Sequence, residues 1–231
     1  GTLTLALLQE AACVTSIEAD PELEPVLDAH AADYANFRFI MGDALKVTPE
    51  QIEQTAGGEP TVFVANLPYN VAATIILQFF QTMPALKRAV VMVQKEVAQR
   101  FCSPAGKGDY GAFSVFCQYY AEPELLFDVP AHCFVPQPKV TSAVVTLRVR
   151  TARPWGIADQ QLFFRVVRAS FAMRRKKLSN GLASGFPTLG KAGAEAVIAA
   201  CGFPENVRGE TLGIPEFARI ANEIHRRGAA Q

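Results

Sequence analysis

The sequence predicts an α/β fold, a doubly wound parallel sheet followed by a small all-helical domain. Three observations predict it: short apolar, β-branched runs recur, helix-length stretches separate them, and beyond Gly156 only helical patterns remain.

The apolar runs are Cys13–Ile17, Phe37–Met41, Thr61–Ala65 and Arg88–Val93, with helix-length stretches such as Pro21–Tyr34 and Ala72–Met83 between them. Strands joined by helical crossovers pair in parallel, because only a long connection returns the chain to the same end of a sheet. Glu124–Val129 and Ser142–Arg150 then read as an antiparallel edge pair, linked by Pro130–Val140, where repeated prolines exclude a helix. The segment Thr151-Ala-Arg-Pro-Trp-Gly156 breaks the alternation. After it come helices over Asp159–Met173, Lys176–Ala183, Lys191–Cys201 and Pro215–Arg227, the first with Asp159 as N-cap. The domain boundary therefore falls between 1–150 and 157–231.

Half of the 231 residues are apolar, enough for a sizeable core. The five cysteines form no C-x-x-C pair and have no histidine cluster beside them, which excludes a zinc site and a disulfide framework; reduced thiols in a cytoplasmic protein are expected, with no metal. No apolar run approaches the ~20 residues of a membrane helix, so no membrane partner is expected. The zero net charge conceals a division: residues 1–150 hold 10 Lys+Arg against 16 Asp+Glu, or −6, and 151–231 hold 12 against 6, or +6. A basic second half suits a polyanion such as nucleic acid, although a solvated basic surface would look the same.

Open α/β sheets bind ligands beyond the carboxyl ends of their strands, so polar residues there are the first candidates for chemistry. Cys13–Ile17 ends in Glu18-Ala19-Asp20, and Glu18 lies 17 residues after Gly1, near the ~20-residue spacing between a glycine turn and an acid that holds ribose hydroxyls. Phe37–Met41 runs into Gly42-Asp43-Ala44, where Asp43 can accept from an adenine amino group and Gly42 allows the turn. Such acids also occur as ordinary turn residues, and a nicotinamide-binding domain would share the ribose acid. The next segment distinguishes them. Thr61–Ala65 delivers Asn66-Leu67-Pro68-Tyr69-Asn70. The exocyclic nitrogen of adenine is a poor nucleophile, because its lone pair is delocalised into the ring. The Asn66 side-chain oxygen and the Leu67 carbonyl are acceptors that favour a pyramidal nitrogen, Pro68 fixes the turn, and Tyr69 stacks on a flipped-out base. With a reactive sulfonium methyl group as donor, catalysis is then mainly positioning and electrostatics.

Asn66-Leu-Pro-Tyr-Asn-Val-Ala-Ala-Thr74 resembles the signature of the ribosomal RNA adenine N6-dimethyltransferases of the KsgA type. The likeness continues through Val93-Gln-Lys-Glu-Val-Ala-Gln-Arg100, Tyr110-Gly111, Ser114-Val115, Gln118-Tyr-Tyr120 and Phe134-Val-Pro-Gln-Pro-Lys-Val-Thr-Ser-Ala-Val-Val145. Arg168-Ala-Ser-Phe-Ala-Met-Arg-Arg-Lys-Lys-Leu178 is similar to the family's basic helix. The resemblance implies a Rossmann-like S-adenosylmethionine methyltransferase fold with a small C-terminal all-helical domain, residues 1–150 forming the catalytic domain and 157–231 binding RNA. It implies S-adenosyl-L-methionine as cofactor, held by Gly1, Glu18, Ala19, Asp43, Ala44 and Asn66, and a target-base site of Asn66, Leu67, Pro68 and Tyr69 with Phe134 as second aromatic wall. The implied reaction is dimethylation of two adjacent adenosines near the 3′ end of 16S rRNA, within the 30S subunit or its precursor, by a cytoplasmic monomer active in ribosome biogenesis. Arg165, Arg168, Arg174, Arg175, Lys176 and Lys177 would meet the rRNA phosphates. Two alternatives stand beside this: the large-subunit methyltransferases of macrolide resistance, and a non-catalytic assembly or transcription factor on the same fold.

Two departures from the family bear on these expectations. Members carry a further segment ahead of the position matching Gly1, with a Gly-Gln-x-Phe-Leu element and a strand ending in Gly-x-Gly, whereas Gly1-Thr-Leu-Thr4 looks like only the tail of that glycine motif. The strand would be central, between Cys13–Ile17 and Thr61–Ala65, and without it both would leave backbone groups unpaired. A polypeptide of these residues alone is expected to fold poorly and bind cofactor weakly. Ala72-Ala73-Thr74-Ile75 also lacks a proline that many members have, which affects the loop shape and not the Asn66 role.

Overall fold

Parallel pairing joins Val14–Glu18 (β1) to Phe37–Met41 (β2), in register from Val14↔Phe37 to Glu18↔Met41. This is the relationship that alternating apolar runs and helices require. The computed structural model describes residues 1–228, and its contacts divide the chain into two units, Gly1–Val91 and Met92–Gln231.

In the first unit, Thr2–Leu8 (α1) and Glu24–Asp33 (α2) flank β1, and a 3-10 turn at Pro21–Leu23 takes the first residues of the expected Pro21–Tyr34 helix. Leu8, Leu27 and Phe37 form a buried cluster joined by Leu5, Val14, Ala31, Phe39 and Met41. Phe37 is only 1% exposed, and burying such a side chain contributes about 1.5–3 kcal/mol. Pro49–Ala56 (α3) follows β2; Val62–Asn66 (β3), Ala72–Thr82 (α4) and Arg88–Gln94 (β4) come next. Lys87 N–H donates to the Thr61 carbonyl at 2.8 Å, so β3 and β4 start side by side and run in the same direction.

The second unit carries Lys95–Cys102 (α5), Ala112–Tyr120 (α6), Ala121–Val129 (β5) and Ser142–Val149 (β6). The last two strands pair antiparallel, as expected, with a bulge between Leu125 and Phe127. Helices Gln160–Ala172 (α7), Leu178–Gly185 (α8), Gly190–Ala200 (α9) and Ile214–Arg226 (α10) complete it. Asp159 caps α7 by accepting from Leu162 N–H at 2.9 Å, as its position predicts. The breaker segment is clasped to its surroundings. Arg153 lies over the rings of Tyr119 and Tyr120 at 5.2 and 5.0 Å, Arg150 over Trp155 at 5.5 Å, and Gln160 bridges both tyrosine hydroxyls.

The strands form two sheets, β1–β2 and β3–β4–β6–β5, so that among the described residues β1 pairs only with β2 and β3 only with β4, each keeping the unpaired edge expected where no strand lies between them. Val62 of β3 is accordingly 53% exposed. Helices α3, α5 and α6 are additions to the sequence reading. For α3 the signals were present: Thr48 and Gln51 form a capping box, Pro49 follows the cap, and Gly57 closes the helix at φ 74°. With Ile52 as its one buried residue, it has almost no apolar period to detect.

Helices α7 and α8 approach so closely that a Cβ on Gly181 would stand 2.3 Å from the Ala169 carbonyl oxygen. Gly181→Ala is expected to cost about 1–3 kcal/mol, read as a lower urea midpoint; an unchanged midpoint would refute this contact. In α10, hydrogen bonds from Arg226 and Arg227 hold the Glu223 carboxyl down at about 2, from its ordinary 4.5. A depressed carboxylate stabilises above its unfolded pKa and loses that contribution as pH falls through the folded value. Glu223→Gln should therefore melt below the wild type at neutral pH, with the gap closing between about pH 4 and 2; a gap independent of pH would refute it.

Candidate functional site

The parallel register of β1 and β2 brings Glu18 and the Gly42–Ala44 turn to one rim, where Gly42 N–H donates to the Glu18 carbonyl at 2.7 Å. Gly42 has φ 156°, and a Cβ there would lie 3.4 Å from Val47 Cγ2, so glycine suits the turn as the sequence suggests. Glu18, half-buried, accepts from Asp20 N–H through Oε1 at 3.0 Å. Asp43, exposed, accepts from Leu45 N–H through Oδ1 at 3.0 Å, while Lys46 stands 3.9 Å from its Oδ2. Each acid thus shapes its own turn with one oxygen and keeps the second turned to solvent or a distant cation. The turn role and a binding role are compatible. Two carboxylates on one rim suit hydroxyl and amino donors. Ala19 is exposed and Ala44 half-buried beside them. Gly1 is the N-cap of α1, and a Cβ on it would meet His30 Nε2 at 3.2 Å.

The Asn66–Tyr69 segment leaves the carboxyl end of β3. Leu67 is buried at 7% exposure and anchors the segment, while Asn66 and Pro68 are exposed and Tyr69 half-buried. The Pro68 carbonyl accepts from Val71 and Ala72 at 3.2 and 3.0 Å, which starts α4. Among the described residues the Asn66 side-chain amide and the Leu67 carbonyl take part in no hydrogen bond. The two expected acceptors are therefore available to a ligand. Helix α4 is tied to the Asp43 turn by Gln78, whose Nε2 donates to the Leu45 carbonyl at 3.2 Å; the sequence reading missed this residue, which carries no local signal.

Within the second unit, Phe134 follows a 3-10 turn at Ala131–Cys133 and is half-buried and extended, at φ −116° and ψ 148°. The basic residues divide by role. The span Arg168–Leu178, likened to a basic helix, is divided by a turn between α7 and α8, as the helix end expected at Met173 requires, and in that turn Lys176 N–H donates to the Met173 carbonyl at 2.8 Å. Four consecutive like charges disfavour continued helix, and Met173 leaves helical geometry at ψ 57°. Arg175, Lys176 and Lys177 line a cleft of about 700 Å³ together with Asn180, Lys191, Glu195, Asn206 and Arg208. Lys177 pairs with Glu205 at 2.6 Å, a hydrogen bond that raises the lysine and lowers the glutamate, and Lys191 stands 3.6 Å from Glu195. Arg175 and Lys176 have no ion-pair partner among the described residues.

Arg174, Arg165 and Arg168 are committed elsewhere. Arg174 binds Glu210 at 3.0 Å and the Gly108 carbonyl, Arg165 lies 4.8 Å over the Phe186 ring, and Arg168 lies 5.3 Å over Phe116. Lys191 and Arg208, absent from the sequence reading, reach the cleft only because the helices fold back.

No group of three or more His, Cys, Asp or Glu among the described residues could hold a metal ion, and no helix among them is long and apolar enough to cross a membrane. The family profile described as ribosomal RNA adenine dimethylase matches residues 1–225. The chain belongs to that family. It is 40% identical over 228 residues to the ribosomal RNA small subunit methyltransferase A of Alkaliphilus metalliredigens, covering 98% of this chain and 79% of that protein. It is 39% identical over 226 residues to the protein of the same name from Clostridioides difficile, covering 97% and 78%. A dimethyladenosine transferase from Plasmodium falciparum superposes with a TM-score of 0.83 at 22% identity, over 99% of this chain and 87% of that one. The 23S rRNA methyltransferase ErmE gives 0.67 at 24%, over 97% and 87%. These likenesses establish the Rossmann-like methyltransferase fold of the family.

The division of the basic residues is testable by heat. Arg174→Ala should lower Tm by a few degrees through the lost Glu210 and Gly108 contacts, whereas Arg175→Ala and Lys176→Ala should leave it within about 1 °C. Equal shifts in all three would refute the division.

Proposed function

We propose that this chain transfers methyl groups from S-adenosyl-L-methionine to the N6 atoms of two adjacent adenosines near the 3′ end of 16S rRNA, dimethylating each, within the 30S subunit or its precursor. The reading places the protein as a monomer in the cytoplasm, with residues 1–150 as the catalytic domain and 157–231 as the RNA-binding domain. The observation that carries it is the pair of unengaged acceptors at Asn66 and Leu67, in a family of rRNA adenine dimethylases. The relatives named for the small subunit, at 40% and 39% identity, favour 16S over 23S rRNA.

When bound, the cofactor supplies a methyl group on a sulfonium centre. Glu18 holds its ribose hydroxyls, Asp43 its adenine amino group, and Gly1, Ala19, Ala44 and Asn66 complete the contacts. Asn66 Oδ1 and the Leu67 carbonyl accept the N6 hydrogens of the target adenine, two before the first transfer and the one that remains before the second, drawing its lone pair out of the ring and toward the methyl group. Tyr69 stacks on the base, with Pro68 holding the turn, and Phe134 is assigned its other face. After transfer the surplus proton on nitrogen passes to solvent, so no strong general base is needed. Arg175, Lys176 and Lys177 contact rRNA phosphates, and Arg165, Arg168 and Arg174 add positive charge to the same domain beside their structural contacts.

Asn66→Ala, assayed on undermethylated 30S subunits, should lose nearly all transfer while 30S binding persists. Unchanged turnover would remove Asn66 from the mechanism, and label confined to 50S particles would overturn the choice of substrate. The double variant Arg175→Ala/Lys176→Ala should flatten the dependence of log Kd on log salt by about 1.5, near the loss of two phosphate contacts. An unaltered slope would exclude that surface.

A further inference from the structure

At the carboxyl end of β4 a cleft of about 350 Å³ opens between Gln94, Lys95, Glu96, Gln99, Val140 and Thr141. Three segments of the second unit build it: the last residue of β4, the first turns of α5, and the residues just before β6. Their junction is fixed by Lys95 N–H, which donates to the Thr141 carbonyl at 3.0 Å. The Lys95 ammonium is already neutralised, 2.5 Å from Asp128 Oδ2. By contrast the side chains of Gln94, Glu96, Gln99 and Thr141 make no hydrogen bond or ion pair among the described residues. Gln94 even occupies the N-cap position of α5 without capping it. Val140, 37% exposed, supplies an apolar wall.

Scattered surface amides without partners are ordinary; four unpartnered polar side chains converging on one concavity with an apolar wall constitute a recognition surface. Its charge excludes a phosphate. The only unneutralised ion lining the cleft is the Glu96 carboxylate, which repels anions. Its hydrogen-bonding capacity instead matches a flat heterocycle bearing an amino group beside a ring nitrogen. Glutamine amides donate and accept together, as in bidentate pairing with an adenine edge, and a carboxylate accepts from an exocyclic amine. Single-stranded RNA offers such edges when its bases are splayed apart.

We propose that this cleft binds a base of the RNA substrate flanking the adenosine under methylation, and that Glu96, with Gln94 and Gln99, reads the identity of that base. The assignment rests on the rRNA methyltransferase function proposed above and adds to it a second point of sequence recognition, separate from the Asn66–Tyr69 segment. Bases with an exocyclic amine next to a ring nitrogen, adenine, cytosine or guanine, are preferred there over uracil, which has no amine to donate to Glu96.

The experiment uses undermethylated 30S subunits whose target adenosines are intact and whose flanking nucleotides are replaced one at a time by each other base. Initial rates of methyl transfer, mapped by primer extension, give kcat/KM for wild type, Glu96→Ala, Glu96→Gln, Gln94→Ala and Gln99→Ala. Wild type is expected to discriminate at one flanking position by about 5- to 100-fold, the range of one good base contact. Glu96→Ala should bring that ratio close to 1, chiefly by raising KM for the preferred substrate, with cofactor affinity and Tm unchanged. Glu96→Gln, which keeps the side-chain size, should reduce the preference for an amino-bearing base. Equal discrimination by wild type and all variants, or no discrimination by wild type, overturns the proposal. Failure of the wild type to methylate any 30S substrate would instead overturn the underlying function, so the two failures are distinguishable.

Discussion

Parallel strand pairing is the constraint on which the candidate site depends. Parallel strands send their carboxyl ends to the same side, and the loops that leave there can carry polar residues without disturbing the sheet. The alignment of Glu18 with Met41 places one acid at the end of β1 and the next just beyond β2. Within the same unit, β3 carries Asn66 to its carboxyl end, and the Lys87–Thr61 hydrogen bond fixes the common start of β3 and β4.

Local devices then turn positions into available chemistry. Leu67 is buried so that its neighbours can remain exposed, and the start of α4 consumes the Pro68 carbonyl while leaving the Leu67 carbonyl and the Asn66 side-chain amide unused. An acceptor left without a partner at a surface costs little, because water satisfies it, and a ligand can displace that water. The acids at 18 and 43 follow the same logic: one oxygen orders the turn and the other stays open. In the second unit, positive charge is sorted by ion pairing. Glu205, Glu195 and Glu210 neutralise Lys177, Lys191 and Arg174, which concentrates uncompensated charge on Arg175 and Lys176. Phosphate affinity arises chiefly from such unpaired cations, since a paired one must first give up its partner.

The aromatic and guanidinium contacts around Tyr119, Tyr120, Arg153 and Trp155 show why a proline- and glycine-bearing segment need not be loose. Arg153 of the segment and Arg150 just before it lie on ring faces, an attraction of about 0.5–1 kcal/mol each at exposed positions, and Gln160 links both tyrosine hydroxyls to the first turn of α7. Strand, breaker and helix are thereby joined through side chains.

Much of this was legible in the sequence because it is written in short-range patterns. The six strands lie within a few residues of their expected spans, Asp159 caps its helix, Gly42 makes its turn, and Asn66-Leu67-Pro68-Tyr69 leaves the carboxyl end of β3 as expected. Strand period, capping and turn preference act over a handful of residues, so they survive in one dimension. What only the tertiary structure decided depends on partners distant in the chain. It committed Arg165 and Arg168 to the rings of Phe186 and Phe116 and brought Lys191 and Arg208 to the basic cleft. It also gathered Gln94, Gln99 and Thr141 around one concavity. Charge and polarity are properties of a residue, but whether they are spent on the fold or kept for a ligand is fixed by which neighbours folding supplies.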